Sequence, residues 1–195
     1  MTTEAEKDLI QQIGSLSSSE FLNLCENASD QETQLSLIKL RCATDLELFA
    51  ETFFPHYCTR EFNDYHRHFF KNSKFGERNI RRAGAAPRGS AKSTLATLIK
   101  PIHDVCYDLE RFILIIGSTT PLANKKLKDI RQEILANGFL RDVFELRFPK
   151  RKVGESEFAV FTPSGRTYFV AIGRGSEVRG IRINENRPTK VVCDD

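Results

Sequence analysis

Long apolar runs are missing from this chain of 195 residues. No stretch approaches the ~20 residues that span a bilayer, so no helical anchor is expected within it. The opening residues lack a basic cluster followed by an apolar stretch, so a secretory signal is not expected either. Cys-x-x-Cys pairs are missing too. The five cysteines, Cys25, Cys42, Cys58, Cys106 and Cys193, are odd in number and scattered. Free thiols in a reducing compartment are the expectation, with Cys193 a small buried hydrophobe inside an apolar run. No segment repeats at a solenoid period. The expectation is a soluble, cytoplasmic, globular chain with no membrane partner, 40% of its residues being hydrophobic. Its length favours one main domain plus an appendage.

Charge is unevenly placed. Residues 1–52 carry a net −7 and the remainder +10, within a total of +3. An acidic front with a basic body fits a body that handles a polyanion, and ordinary scatter fits as well.

The front reads as short helices. Thr3-x-x-Glu6, Ser17-x-x-Glu20, Ser29-x-x-Glu32 and Thr44-x-x-Glu47 match the capping-box pattern before apolar residues at helical spacing. Leu35, Ile38 and Cys42 share one face, as do Leu46, Phe49 and Phe53, and Pro55 ends the fourth helix. A further helix is expected over 61–71. From Ile80 the pattern changes to strands and helices. A strand is expected over 80–86, a helix over 93–107, a buried parallel strand over 112–116 and a helix from Pro121 to about Leu135. A hairpin of 157–161 with 166–172 and a last strand over 190–193 complete the pattern.

Between the first of these strands and its helix lies Ala86-Pro87-Arg88-Gly89-Ser90-Ala91-Lys92-Ser93-Thr94. The usual phosphate-loop pattern is Gly-x-x-x-x-Gly-Lys-Ser/Thr. Aligned on Lys92, both glycine positions are alanine. Gly89, Ser90 and Ala91 still let backbone N–H groups approach an anion, and the following helix adds its positive end. Lys92 is then the group that bridges the outer phosphates, and Ser93 the hydroxyl that ligates Mg²⁺. Arg88 lies inside the loop, within reach of charge developing on the γ-phosphate. A basic turn before an amphipathic helix is the plainer alternative.

About a hundred residues on, Val191-Val192-Cys193 closes on Asp194 and Asp195. A carboxylate at the tip of a buried strand can hold Mg²⁺ opposite Ser93. Asp195 stands where many such enzymes place a glutamate that orients the attacking water, one methylene shorter. Without the loop, two solvated acids would explain this pair.

Two further segments, Ile116-Gly117-Ser118-Thr119 and Gly175-x-x-Val178-Arg179-Gly180, stand between the loop and Arg187-Pro188-x-x-Val191-Val192-Cys193-Asp194-Asp195. In this order and spacing, the chain from about Leu48 to Asp195 resembles the ATPase half of the large terminase subunit of tailed bacteriophages and prophages. Those motors package DNA into capsids. The resemblance implies a P-loop NTPase fold of the ASCE type: a mostly parallel α/β sheet flanked by helices, incomplete at the C-terminus, behind a small helical N-terminal element. The boundaries expected are 1–45 for the helical element and 46–195 for a partial ATPase domain. ATP and Mg²⁺ are the implied cofactors. The implied catalytic set is Lys92, Arg88, Asp194 and Asp195. Gly89, Ser90, Ala91, Lys92, Ser93 and Thr94 would hold the nucleotide, and Ser93 with Asp194 the metal. Arg88 would sense or stabilise the γ-phosphate. An adenine-contacting element is implied upstream, where Tyr65 and His66 stand without the family's glutamine. Arg179 lies in a loop the family keeps.

The implied partners are double-stranded DNA, a small terminase subunit, a portal and further copies of the chain, in the host bacterial cytoplasm. The family continues past the acidic pair with a coupling motif, more strands and an RNase H-type nuclease domain. One of those strands inserts between the loop strand and the acidic strand. The expectation is therefore a fragment that binds ATP more weakly than an intact motor and turns it over little. A helicase-like nucleic-acid-dependent ATPase and a non-hydrolysing nucleotide- or partner-binding remnant are the alternatives.

Other features are read as structural. His66 and His68 lack a third metal ligand at suitable spacing. Gly173-x-Gly175 lacks the helix of a dinucleotide turn. Lys125, Lys126, Lys128 and Arg131 read as the wet face of a helix that buries Leu127, Ile130 and Ile134, with DNA phosphate as the alternative. Lys71, Lys74, Arg78, Arg81 and Arg82 are open in the same way.

Overall fold

The computed structural model describes residues 4–149, 154–176, 180–183 and 185–194. The chain divides into two compact units at 85/86. The boundary expected at 45/46 is the junction between two packed helices inside the first unit.

The first unit is helical: α1 Glu4–Ser15, α2 Ser18–Glu26, α3 Gln31–Thr44, α4 Leu46–Phe53 and α5 Asp64–Asn72. Ser17 and Glu20 close a reciprocal capping box at α2, as the pattern predicts. At α3 and α4 the cap moves one residue on. Asp30 accepts from the Thr33 N–H and Asp45 from the Leu48 N–H, because a carboxylate outcompetes the neighbouring hydroxyl for helix N–H groups. The Thr3 box lies outside the described residues. Ile13, Phe21 and Cys25 form a small core. Arg41 Nη1 caps the end of α1 by donating to the carbonyls of Ile13, Gly14 and Leu16 at 2.9, 3.0 and 2.8 Å. In α4, Phe49 and Phe53 are buried as expected.

The second unit is a mixed α/β layer. A π-helical segment, Thr94–Ile99, runs into α6, Lys100–Cys106. Then come β1 Phe112–Gly117, α7 Thr120–Ala136, α8 Gly138–Phe144, β2 Glu157–Thr162, β3 Gly165–Gly173 and β4 Lys190–Cys193. The four strands make an open sheet in the order β2-β3-β1-β4. β1 runs parallel to both β3 and β4, and β2 is antiparallel to β3. Phe112, Ile113, Leu114 and Ile115 are fully buried, as a strand covered on both faces requires. In the hairpin, Phe158 stacks on Phe169, its register partner, at 4.7 Å between ring centroids. Helix α7 packs on β1 and β3. No helix among the described residues is long and apolar enough to cross a membrane.

Three expectations are corrected. Residues 80–86 form no strand. They have no ladder partner among the described residues, and the flank at Ile80 is 45% exposed, which a buried parallel strand cannot be. The helix expected over 93–107 is π-helical through its first turns. The Lys100 N–H reaches Leu95 O, and the wider turn makes room for Pro101, which has no N–H to give and whose ring would crowd the carbonyl four residues back. Cys193 is exposed rather than buried. β4 is an outer strand among the described residues. Its alternation turns Val191 and Cys193 outward and only Val192 inward.

Candidate functional site

The segment leading to the π-helix opens with a tight turn. The Ser90 N–H and Oγ both donate to Pro87 O, at 3.3 and 2.7 Å. Gly89 sits at φ +87°, and Ala91 follows at φ +51°. Left-handed backbone costs a non-glycine residue roughly 1–2 kcal/mol. Ala91 occupies the second glycine position of the usual pattern, so the backbone there keeps the conformation for which glycine is normally chosen. Arg88 is exposed in the turn, Lys92 is half-buried and opens the helix, and Thr94 is half-buried in its first turn.

Ser93 and Asp194, 101 residues apart, meet: Ser93 Oγ donates to Asp194 Oδ1 at 2.9 Å. Asp194 stands just past β4, where its N–H continues the ladder to Ile116 O at 2.9 Å. Backbone pairing therefore fixes the carboxylate before any side chain touches it. Thr97 Oγ1 donates to Asp194 Oδ2 at 2.9 Å, and the Lys126 ammonium contacts the same oxygen. The Asp194 side chain is 6% exposed and that of Lys126 17%. Burial pushes the Asp194 carboxyl upward, but the Lys126 ion pair and the hydroxyls of Thr97 and Ser93 outweigh it and hold it below the usual range.

Two glycines allow this convergence. A Cβ on Gly117 would lie 2.8 Å from the Ala123 backbone N, and one on Gly173 would lie 2.4 Å from that of Thr120. Only glycine at the ends of β1 and β3 lets the start of α7 settle on the sheet. That approach brings Lys126 to the mouth of β4. Gly173 thus has a packing role, in keeping with the rejection of a dinucleotide turn.

A second cluster lies at the opposite end of β4. Asp104 is 2% exposed and takes the ammonium of Lys100 on Oδ1 and that of Lys190 on Oδ2. Burial pushes its carboxyl upward and the two lysines more than reverse this, so it is held below the usual range. Burial also lowers the Lys100 ammonium, against the pull of Asp104.

Of the residues singled out from sequence, Ser93 and Asp194 meet, with Lys92 one residue before Ser93 and Gly89, Ser90 and Ala91 in the turn that precedes it. Asp195 and Arg179 lie outside the described residues. His66 is taken up by a cap: its Nδ1 accepts from the Asn63 N–H at 3.2 Å, inside a capping box at α5. Thr97 is absent from the residues singled out from sequence, and Lys126, expected on the wet face, is set on Asp194 instead. Thr97 follows Ser93 by one turn, so a group that Ser93 reaches lies within its range. Lys126 is three residues after buried Ala123 and four before buried Ile130, on the inward stripe rather than the wet face, whereas Lys125 and Lys128 are exposed as expected.

Among the described residues no three His, Cys, Asp or Glu side chains cluster as a metal-binding group. The carboxylate and hydroxyls around Asp194 are hard oxygen donors. They can supply part of the shell of a small divalent cation that draws its other ligands from phosphate and water. No protein-family profile, curated protein or solved structure matches the chain.

Proposed function

We propose that residues 86–195 form a P-loop-type nucleotide site, the ATP-hydrolysing portion of a DNA-packaging motor of the terminase large-subunit kind. The observation that carries this reading is the hydrogen bond from Ser93 to Asp194 across 101 residues. It joins a lysine–hydroxyl helix start to an acid at a strand end, at the carboxyl ends of parallel strands where α/β sheets hold ligands.

In this reading the turn 87–91 offers backbone N–H groups to phosphate, and Lys92 sets an ammonium on the outer phosphates. Ser93 and Asp194 would hold Mg²⁺, and their oxygen chemistry fits that ion. When bound, Mg²⁺ neutralises the charge that builds on the phosphates during transfer to water. Arg88, exposed in the turn, is assigned the charge on the terminal phosphate. Asp195 is assigned the orientation of the attacking water. Double-stranded DNA, a small terminase subunit, a portal and further copies of the chain belong to the same proposal.

A second reading is nucleotide binding without turnover. It is favoured by the lack of a strand over 80–86 to brace the turn. Lys92→Ala separates both readings from a purely interaction-based role. It should lower the affinity for a fluorescent ATP analogue at least a hundredfold in equilibrium titration, with the fold unchanged by circular dichroism. Unaltered binding would exclude both. ATP turnover that rises on adding double-stranded DNA would then favour the motor.

A further inference from the structure

We propose that Lys126 is the internal counter-ion of the Asp194 carboxylate: it occupies the position of a divalent cation and yields it only when cation and polyphosphate arrive together. The inference rests on the reading of this site as a nucleotide–cation centre.

Both oxygens of the Asp194 carboxylate are engaged, Oδ1 by Ser93 and Oδ2 by Thr97 and Lys126 together. A cation at Oδ2 must displace a donor, and one at Oδ1 stands beside the Lys126 ammonium. The three donors are not equivalent. A hydroxyl can stop donating to the carboxylate and present a lone pair to the cation instead, so Ser93 and Thr97 can stay in place. An ammonium has donors only. It cannot coordinate, and it repels the incoming charge at short range. Lys126 is therefore the group that has to leave.

Its attachment permits this. The side chain is 17% exposed, so it is not sealed inside the site. A flexible four-carbon stem lets it move while α7 stays seated on Gly117 and Gly173. A cation arriving alone meets Lys126 and, one residue before Ser93, Lys92. Polyphosphate reverses the balance, because it offsets both ammonium charges and gives Lys126 a new acceptor. The two ligands should consequently favour each other, with Lys126 enforcing the coupling.

The test is Mn²⁺ binding followed by electron paramagnetic resonance, with and without ATP, in the wild-type chain, Lys126→Met and Lys126→Arg. Lys126→Met should bind Mn²⁺ alone about tenfold more tightly than wild type or better, while Lys126→Arg stays near wild type. The enhancement of Mn²⁺ affinity by ATP should shrink by a similar factor in Lys126→Met. Unchanged affinity for Mn²⁺ alone in folded Lys126→Met would overturn the proposal. Should that variant fail to fold, Lys126→Gln is read by the same two outcomes. A wild-type chain that binds no ATP would sink the nucleotide reading, and the Mn²⁺-alone comparison would still decide the role of Lys126.

Discussion

The two ends of β4 present the same chemistry in opposite uses. At its start, Lys190 and Lys100 close on Asp104; just past its end, Ser93, Thr97 and Lys126 close on Asp194. Both carboxylates are nearly sealed, at 2% and 6% exposure. Both are held below the usual carboxyl range by their partners. The difference lies in the partners. Asp104 is held chiefly by two ammonium groups, with His103 beside it, and the carboxylate cannot be withdrawn without leaving both ammonium charges unbalanced. Asp194 is held mostly by hydroxyls, which can turn from donor to ligand. The first arrangement fixes a strand, and the second leaves a carboxylate available for exchange.

The largest expected effect is at the charged end. Asp104→Asn removes one negative charge and leaves the buried Lys100 ammonium facing that of half-buried Lys190. It should cost about 3–5 kcal/mol in urea denaturation. Replacing the cluster together, as Lys100→Met, Asp104→Leu and Lys190→Met, should retain wild-type stability or exceed it by about 1–4 kcal/mol, because the desolvation of three ions disappears with their attraction. A single variant as harmless as the triple one would show that the cluster does not hold β4.

Acid gives the next largest effect. An unfolded aspartate titrates near ~3.9, and Asp104 in the folded chain titrates lower. The unfolded state therefore binds more protons as the solution becomes acidic. The stability contributed by Asp104 is fully present above that pH and is lost as pH falls further, toward the folded-state value. The urea midpoint should drop between pH 5 and pH 3 in the wild type, and drop less in the triple variant. Parallel curves would remove Asp104 from the account of acid unfolding.

How much of this was legible in the sequence depends on how local the cause was. The 157–172 hairpin, β1, β4 and the ends of α7 follow from alternation, apolar runs, Pro121 and Asn137, all of which act within a few residues. Pairing of Ser93 with Asp194 was expected because each has a familiar role at its spacing. The strand over 80–86 was misread because a strand needs a partner, and partners are not written in the segment itself. The π-helical turns follow from Pro101, but only when its missing N–H is counted against the helix before it. Most informative is the stripe Ser93, Thr97, Lys100, Asp104, spaced by four, three and four. Polar residues at helical spacing ordinarily mark a wet face. Here they line the face that grips both ends of β4, and nothing local reveals that the strand supplies Lys190 and Asp194 to meet them.

Thr97 tests that stripe with the smallest change. It is 3% exposed, and its hydroxyl is the buried donor to Asp194 Oδ2, whereas Ser93 lies at the exposed edge. Thr97→Val keeps the shape and the branched Cβ while deleting the donor. Asp194 keeps Ser93 and Lys126, so no carboxylate oxygen is stranded. The expected loss is therefore that of one hydrogen bond, about 1 kcal/mol in urea denaturation, well below the cost at Asp104. A loss approaching that of Asp104→Asn would mean that the Asp194 end is as rigidly committed as the other, and that its partners cannot be exchanged. A loss near 1 kcal/mol places the rigid carboxylate, Asp104 on α6, and the exchangeable one, Asp194, at opposite ends of β4.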